Sequence, residues 1–374
     1  MLRALETIAT GGSSGRVVTG RTAPAPRTAF LFPGQGSQRT GAGARLYRAE
    51  PVFADALDDV LTHLAPHLDL PLRDIMFAEP GTERAALLHR TRCTQPALFA
   101  LAVALFRLMD HRGVRPGLLI GHSVGGLAAA HAAGVLDLPG ACALVAARGR
   151  LMDALPGGGA MAAVEADEDE IRAALAEGAA PHGDISVAAV NGPRSTVVSG
   201  DRAPVLRLAA AFRAQGRRTR ELTVSHAFHS AHMDPMLDDF RRVAEGLTYS
   251  APRIPVLSDL TGERATADEL CDPGTGYATP AAPSASSTAS AACSRRASPT
   301  VLNSAPAVCS PASYRTACRT PAPAPAPTRT PACPRARRGI PPPTAAPSPC
   351  SVTDAPRTWR SSKRWPGCTS GASP

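Results

Sequence analysis

Leu118-Leu119-Ile120-Gly121-His122-Ser123-Val124-Gly125-Gly126-Leu127-Ala128-Ala129-Ala130 is the stretch that decides the fold of this 374-residue chain. A short apolar run enters Gly-x-Ser-x-Gly, and an alanine-rich helical run leaves it. Strand, tight turn, helix is the order that holds a serine on a strained bend with its hydroxyl exposed. Gly121 and Gly125 lack Cβ, so the backbone can turn sharply and neighbouring chain can approach. Val124 opens the helix, and its N–H can donate to a developing oxyanion. A chain with 32 glycines also meets Gly-x-Ser-x-Gly by chance. The flanking strand and helix are what make Ser123 a candidate nucleophile.

The charge of the chain is uneven. Residues 274–374 hold 12 Lys and Arg against one acid, Asp354, while the whole chain is at +9. The body is therefore close to neutral, which argues against nucleic acid as a partner. Six of the nine cysteines (Cys293, Cys309, Cys318, Cys333, Cys350 and Cys368) also lie after residue 273. None forms Cys-x-x-Cys and no histidine pairs with them, so no metal site is expected. Cys93, Cys142 and Cys271 are scattered, which suits a reducing cytoplasm. The first 28 residues contain no apolar signal core. No stretch reads as long and apolar enough to span a membrane.

Residues 1–28 read as a linker, with Gly-Gly-Ser-Ser-Gly and a closing Ala-Pro-Ala-Pro. A buried strand at 28–32 then enters Pro33-Gly34-Gln35-Gly36-Ser37-Gln38. A glycine-rich turn after the first strand of an α/β sheet sits at the carboxyl edge, where ligands bind. Gln35 can offer its side chain or N–H there, and an ordinary strand–helix turn fits the same residues. Helical apolar spacing recurs at 52–64, and 95–109 is apolar nearly all round, as a buried helix is. Helices at 127–133 and 139–151 follow the serine turn.

After Gly157-Gly158-Gly159 the rhythm changes. Strands at 160–164, 185–190, 196–199 and 219–224 alternate with helices at 167–175 and 204–214. This β-α-β-β-α-β order is the split βαβ, ferredoxin-like pattern. The chain returns through Val224-Ser225-His226-Ala227-Phe228-His229-Ser230, a helix at 233–244 and a strand at 254–258. The fold class expected is α/β. A hydrolase-like large subdomain with a parallel sheet occupies 29–156 and 224–273, and a small ferredoxin-like subdomain is inserted at 157–223. Residues 274–374 carry 19 prolines, no Phe or Met, and Leu302 as the sole leucine. Such a segment cannot bury a core and is expected to be disordered.

A serine hydroxyl needs an adjacent base. His229 is the leading candidate because it leaves a strand near the end of the large subdomain; His226 and His232 are its rivals. No acid between Ser123 and His229 is placed as a third member, since Asp184 and Asp201 fall at the edges of small-subdomain elements. A Ser–His dyad, its imidazole oriented by backbone carbonyls, is the expected arrangement. Arg148 lies on an apolar helix after the serine turn. A buried arginine needs an anionic partner, and its planar fork matches a carboxylate. An internal salt bridge would serve as well, but beside an acyl-transfer serine a substrate carboxylate is the sharper reading. Arg150 points elsewhere on the helix and reads as structural.

Phe32-Pro33-Gly34-Gln35-Gly36-Ser37-Gln38, Thr94-Gln95-Pro96-Ala97, Gly121-His122-Ser123-Val124-Gly125, Arg148-Gly149-Arg150-Leu151-Met152 and His226-Ala227-Phe228-His229-Ser230 together resemble the malonyl-CoA:acyl-carrier-protein transacylase family. The likeness is greatest to the acyltransferase domains of modular type I polyketide synthases, and it runs from about residue 29 to 273. It implies an S-malonyltransferase activity by ping-pong transfer, with no bound cofactor. Malonyl-CoA would be the donor and the phosphopantetheine thiol of an acyl carrier protein the acceptor, beside a ketosynthase domain in the cytoplasm. Ser123 would be the nucleophile, His229 the base, and Gln35 with Val124 N–H the oxyanion donors. Arg148, His122, His226 and Phe228 would contact the substrate. The form His-Ala-Phe-His goes with malonyl rather than methylmalonyl units in this family. The alternatives are an inactive, truncated acyltransferase remnant or a serine esterase. Two departures favour the remnant: Gly126 stands where the family usually has Glu, and the family's closing segment does not follow Pro273.

The break at Gly274 reads as a shift of reading frame in a GC-rich gene. Read from the third base of the Gly274 codon, the codons of 275–289 permit a text beginning Tyr-Trp-Val-Arg-His. Those of 302–306 permit Glu-Leu-Gly-Pro. Both resemble family segments, in the family's order. Restoring one base in the Gly274 codon should therefore raise both the melting temperature and the transfer rate. An unambiguous resequenced gene whose product is fully active as written would refute the shift.

Overall fold

The computed structural model describes residues 28–177, 184–274 and 300–303. In chain order these form β1 (Thr28–Phe32), α1 (Pro51–Leu64), α2 (Thr91–His111), β2 (Leu118–Gly121), α3 (Val124–Ala133) and α4 (Leu138–Asp153). There follow β3 (Gly159–Val164), α5 (Glu168–Ala176), β4 (Ile185–Gly192), β5 (Ser195–Asp201), α6 (Arg202–Ala214) and β6 (Thr219–Glu221). The last are α7 (Asp234–Glu245), β7 (Val256–Leu257) and β8 (Thr300–Asn303). Shorter helical turns are cited by residue.

The fold is α/β, with a parallel sheet in the order β7-β2-β1-β8. Side chains alternate between the two faces of a strand. Phe30, Phe32, Leu119 and Val256 accordingly join the large core with Phe53, Leu57, Val60, Phe99 and Leu144 from α1, α2 and α4. Ala29, Leu31, Ile120 and Leu257 form a separate cluster. Both sets are buried, so these strands read as unbroken apolar runs, as parallel strands do.

Helix α2 corrects one expectation. It has 21 residues and a mean hydropathy of 1.3 over its most apolar window, which is long and apolar enough to cross a membrane. Here 72% of that window is buried inside the protein. Its alanines at 97, 100 and 104 are almost wholly enclosed, which fits close packing of neighbouring helices. It is a core helix.

The second sheet has the order β4-β5-β3-β6, and all its pairs are antiparallel. That is the ferredoxin-like order for the expected succession of elements. Asp167 and Glu170 close a reciprocal capping box at the start of α5. Two strands are shorter than expected. The strand foreseen at 219–224 spans only Thr219–Glu221, with one further backbone bond from Leu222 N–H to the Met161 carbonyl at 2.9 Å, before the chain leaves for residues 225–230. The strand foreseen at 254–258 keeps only Val256–Leu257. Pro255 has no N–H to give the ladder, and Ser258 Oγ accepts the N–H groups of Leu260 and Thr261 to start a turn.

Disorder throughout 274–374 is also corrected, at four residues. Thr300–Asn303 pairs in parallel with β1, Thr28 opposite Thr300 and Leu31 opposite Asn303. Thr-Val-Leu has the β-forming composition of a strand in an otherwise proline-rich text, and the outer edge of β1 offers unpaired backbone groups. The rest of that segment, and the linker foreseen at 1–28 apart from Thr28, lie outside the described residues.

The turns after β1 and β2 pack backbone against backbone. A Cβ on Gly125 would run into the carbonyl oxygen of Phe32, and one on Gly34 would lie 2.6 Å from His122 Nδ1. Gly125→Ala cannot be relieved by a side-chain rotation. It should cost about 3 kcal/mol of stability, as overpacking against rigid backbone does. Thermal melts of the variant beside the parent chain check this.

Candidate active site

Strands β1, β2 and β7 lie side by side and run the same way, so the turns at their carboxyl ends meet. Phe32 stands opposite Gly121, and Ile120 opposite Leu257. Two or three residues past each strand are Gly34 and Gln35, Ser123, and Asp259. Among the described residues, only Ser123 and His229 are non-glycine residues with positive φ, at 53° and 60°. Such backbone costs of order 1–3 kcal/mol per residue and persists only where the surroundings enforce it.

Ser123 is held from three sides. Its N–H donates to Asp259 Oδ2 at 3.0 Å. His229 Nε2 lies 3.0 Å from its Oγ. Arg148 Nη2 donates to the same Oγ at 3.1 Å. With a guanidinium N–H directed at Oγ, the hydroxyl proton is free to point at His229 Nε2. This is the geometry of a hydroxyl ready to be deprotonated.

Helix α4 brings Arg148 to the site. Asp137 caps the helix by accepting from Gly140 N–H at 2.8 Å. Ala141, Leu144, Val145 and Met152 are buried on the face that also carries Arg148. Arg148 is only 3% exposed. Burial lowers its pKa to about 10, against the sustaining charge of Asp259, so it is a cation at neutral pH. Among the described residues it forms no ion pair. Burial pushes the Asp259 carboxyl up to about 6, opposed by the Ser123 N–H and by Arg148. His122 is pushed down to about 4 by burial first and by Arg148 second. Its Nε2 is buried without a hydrogen-bond partner among the described residues.

The other expected residues fall as follows. Gln35 is half-buried in the turn beside the serine. Val124 is the first residue of α3, where an N–H has no intrahelical acceptor. His226 does not reach Ser123. Its Nε2 donates to the Leu155 carbonyl at 2.9 Å, which leaves Nδ1 to accept from Ser225 Oγ at 2.9 Å. Both ring nitrogens are thus engaged in holding the segment, so His226 is no rival base, and its ring lies beside that of Phe228, with centroids 5.9 Å apart. His232 pairs with Asp201 at 2.8 Å, and Asp201 accepts from Asp184 N–H. None of these three is at the serine. Arg150 is exposed.

Sequence reasoning missed Asp259 and the burial of Gln95. Gln95 is 1% exposed, with Nε2 on Met152 Sδ and Oε1 unpartnered among the described residues. The one signal for Asp259 was an acid at the carboxyl end of a strand.

The sequence model of the acyl transferase domain family matches residues 29–306. The polyketide synthase GfsA of Streptomyces halstedii is 55% identical over 268 residues, 72% of this chain, and the chain spans 4% of that protein's length. The acyltransferase domain from the second module of the salinomycin polyketide synthase is 46% identical with a TM-score of 0.76, over 86% of this chain and 73% of that one. A type II polyketide-synthase malonyl-transacylase, solved in complex with its acyl-carrier protein, is 30% identical with a TM-score of 0.67, over 75% and 89%.

Two groups next to Ser123, the buried Asp259 and the half-buried His122, have pKa shifts of opposite sense. Asp259 has its pKa raised, from 3.8 to about 6, so the stability it contributes is present below about pH 4 and lost as pH rises through 6. His122 has its pKa lowered, from 6.5 to about 4, so its contribution is present above about pH 6.5 and lost as pH falls through 4. Each is worth about 3 kcal/mol, and over pH 4–6.5 they largely cancel. In Asp259→Asn only the His122 effect remains. The variant should gain on the parent chain by about 2 kcal/mol as pH rises from 4 to 6, read by denaturant melts across that range. Parallel curves would show that Asp259 is ionised throughout.

Proposed function

The chain belongs to the acyl transferase domain family, of the type carried by polyketide synthases, and from that premise we propose that it moves a malonyl unit from coenzyme A to the phosphopantetheine thiol of an acyl carrier protein. Ser123 Oγ attacks the thioester carbonyl while His229 Nε2 takes its proton. The tetrahedral oxyanion is held by Val124 N–H and Gln35. Collapse breaks the carbon–sulfur bond, and His229 returns the proton to the departing thiolate. A malonyl ester of Ser123 remains. The carrier thiol then attacks that ester, with His229 again as base, and Ser123 is regenerated. No cofactor is needed.

The observation that carries the malonyl reading is Arg148. It is a buried cation with no ion pair among the described residues, and it donates to the very hydroxyl that would be acylated. An acyl group with a free carboxylate two carbons from the ester gives that cation its missing partner. A serine esterase acting on neutral esters has no use for such a charge. Phe228, buried at 6% exposure and braced by His226, supports malonyl over methylmalonyl, because a ring there leaves little room for an α-methyl. His122 would face the same acyl group. The carrier-protein acceptor follows the malonyl-transacylase neighbour that was solved with one, and a ketosynthase neighbour and cytoplasmic location follow the synthases. A second reading, an inactive remnant, is favoured by Gly126 and by the change of text at Gly274, which would be the frame shift.

Intact-protein mass spectrometry after malonyl-CoA separates these readings. The parent chain should gain one malonyl group and Ser123→Ala none. Arg148→Ala should lose roughly 2–4 kcal/mol in kcat/KM for malonyl transfer but little for acetyl. Equal losses would make Arg148 structural, and no adduct on the folded parent chain would establish the remnant.

A further inference from the structure

Asp259 has no part in the transfer just described, yet it is 6% exposed and bonded to the backbone of the nucleophile. It sits on the turn after β7, a loop pinned by Ser258 N–H on the Glu263 carbonyl at 2.8 Å and by Gly262 N–H on the Ser258 carbonyl at 2.9 Å. It is therefore delivered by a rigid support rather than by a free loop. The residue it grips is the strained one, at φ 53° and ψ −117°. Helix α3 begins one residue later and has no acid in its first turn. The carboxylate at that end of the helix comes from the neighbouring strand. Arg148 touches the same serine at Oγ, so Asp259 and Arg148 stand on opposite ends of one residue.

We propose that Asp259 is a positioning residue with two effects: its carboxylate locks the backbone of Ser123 in the reactive turn, and its charge opposes an acyl carboxylate arriving at Arg148, so that it sets how strongly the site prefers carboxylated over neutral acyl groups. The first effect needs only an acceptor oxygen. The second needs the negative charge. A like charge held near a cation's intended partner weakens that partner's binding, and removing the acceptor leaves the half-buried Ser123 N–H without its partner. The two effects therefore come apart in two substitutions. The proposal rests on the malonyl-transfer reading for its second half only.

The test uses the full chain and two probes. A fluorophosphonate reports the reactivity of Ser123 without any acyl-CoA. Loading from malonyl-CoA against acetyl-CoA, read by intact mass, reports the preference. Asp259→Ala should slow fluorophosphonate labelling roughly 10- to 100-fold, with loss of the backbone lock. Asp259→Asn keeps an acceptor and should rescue most of that rate. It should also raise the malonyl-to-acetyl ratio in kcat/KM several-fold, chiefly through a lower KM for malonyl-CoA. Asp259→Ala labelling at the parent rate, or Asp259→Asn no better than Asp259→Ala while both melt as the parent does, would overturn the lock. An unchanged or lowered ratio in Asp259→Asn would overturn the charge effect. If the parent chain takes up fluorophosphonate but no acyl group, the malonyl reading and the charge effect fail together, and the labelling rates alone decide the lock. A parent chain inert to both probes would overturn the whole.

Discussion

The structure is organised around the backbone of Ser123 at φ 53°. An L-residue adopts that conformation only under compulsion, and each neighbouring element supplies part of it. Gly121 and Gly125 let the strand-to-helix bend close. The absence of a Cβ at Gly125 lets the turn rest on the Phe32 carbonyl of β1. The 3.0 Å bond from Ser123 N–H to Asp259 ties the bend to β7 on the other side. The central strand of three is thus clamped between its two neighbours at the level of the nucleophile. His229, the second strained residue, approaches from the segment that returns from the small sheet. The strain is concentrated on the two residues that share the 3.0 Å contact between Oγ and Nε2, and ordinary backbone carries the load.

The charges are arranged with equal economy. Arg148 and Asp259 are buried on the two ends of Ser123, at its hydroxyl and its N–H, and the half-buried His122 precedes it in the chain. Burial alone would neutralise each of them, since a charge in a low-dielectric interior is unfavourable. Arg148 stays charged because its pKa begins so high that lowering it to about 10 leaves it protonated. His122 loses its proton, which keeps a second cation away from the first. Asp259 is poised near 6 between the penalty of burial and the pull of the Ser123 N–H and Arg148. The result is one fixed cation, one neutral ring and one adjustable anion. The arrangement leaves Arg148 charged without an ion pair among the described residues.

Much of this was legible in the sequence because its signals are local. Gly-x-Ser-x-Gly between an apolar run and a helix announces the bend at Ser123. The succession of elements between 159 and 221 announces the antiparallel sheet, whose order then follows. Arg148 was legible as an oddity on an apolar helix. Asp259 was not, because its bond to Ser123 spans 136 residues and depends on β7 lying against β2. No spacing within either segment encodes that pairing. The engagement of His226 was hidden for the same reason, since its partner is the Leu155 carbonyl, a backbone atom with no sequence signature. The length of α2 misled in the opposite direction. By itself a 21-residue apolar helix suits a bilayer as well as a core, and only the packing of α1 and α4 around it decides.

The strand β8 bears on the site in one direction only. It pairs with β1 and, among the described residues, with no other strand. The residues that act on the serine hydroxyl, His229 and Arg148, are anchored through α4 and the 225–230 segment, and Asp259 through β7 on the far side of β2. None of these touches β1's outer edge. Gln35 differs, because it hangs on the turn that β1 leads into. Under the proposed frame shift, the altered text after Gly274 would act first on β1, and so on Gln35, one of the two proposed oxyanion donors, while the Val124 N–H belongs to α3 and stays with the clamp. An oxyanion donor lost in this way slows the tetrahedral step and leaves the hydroxyl's own hydrogen bonds in place, since the donor is needed only where charge develops. The Ser123–His229 pair and the proposed oxyanion donor Gln35 are thus carried on different elements, and a changed C-terminal segment would weigh on the second before the first.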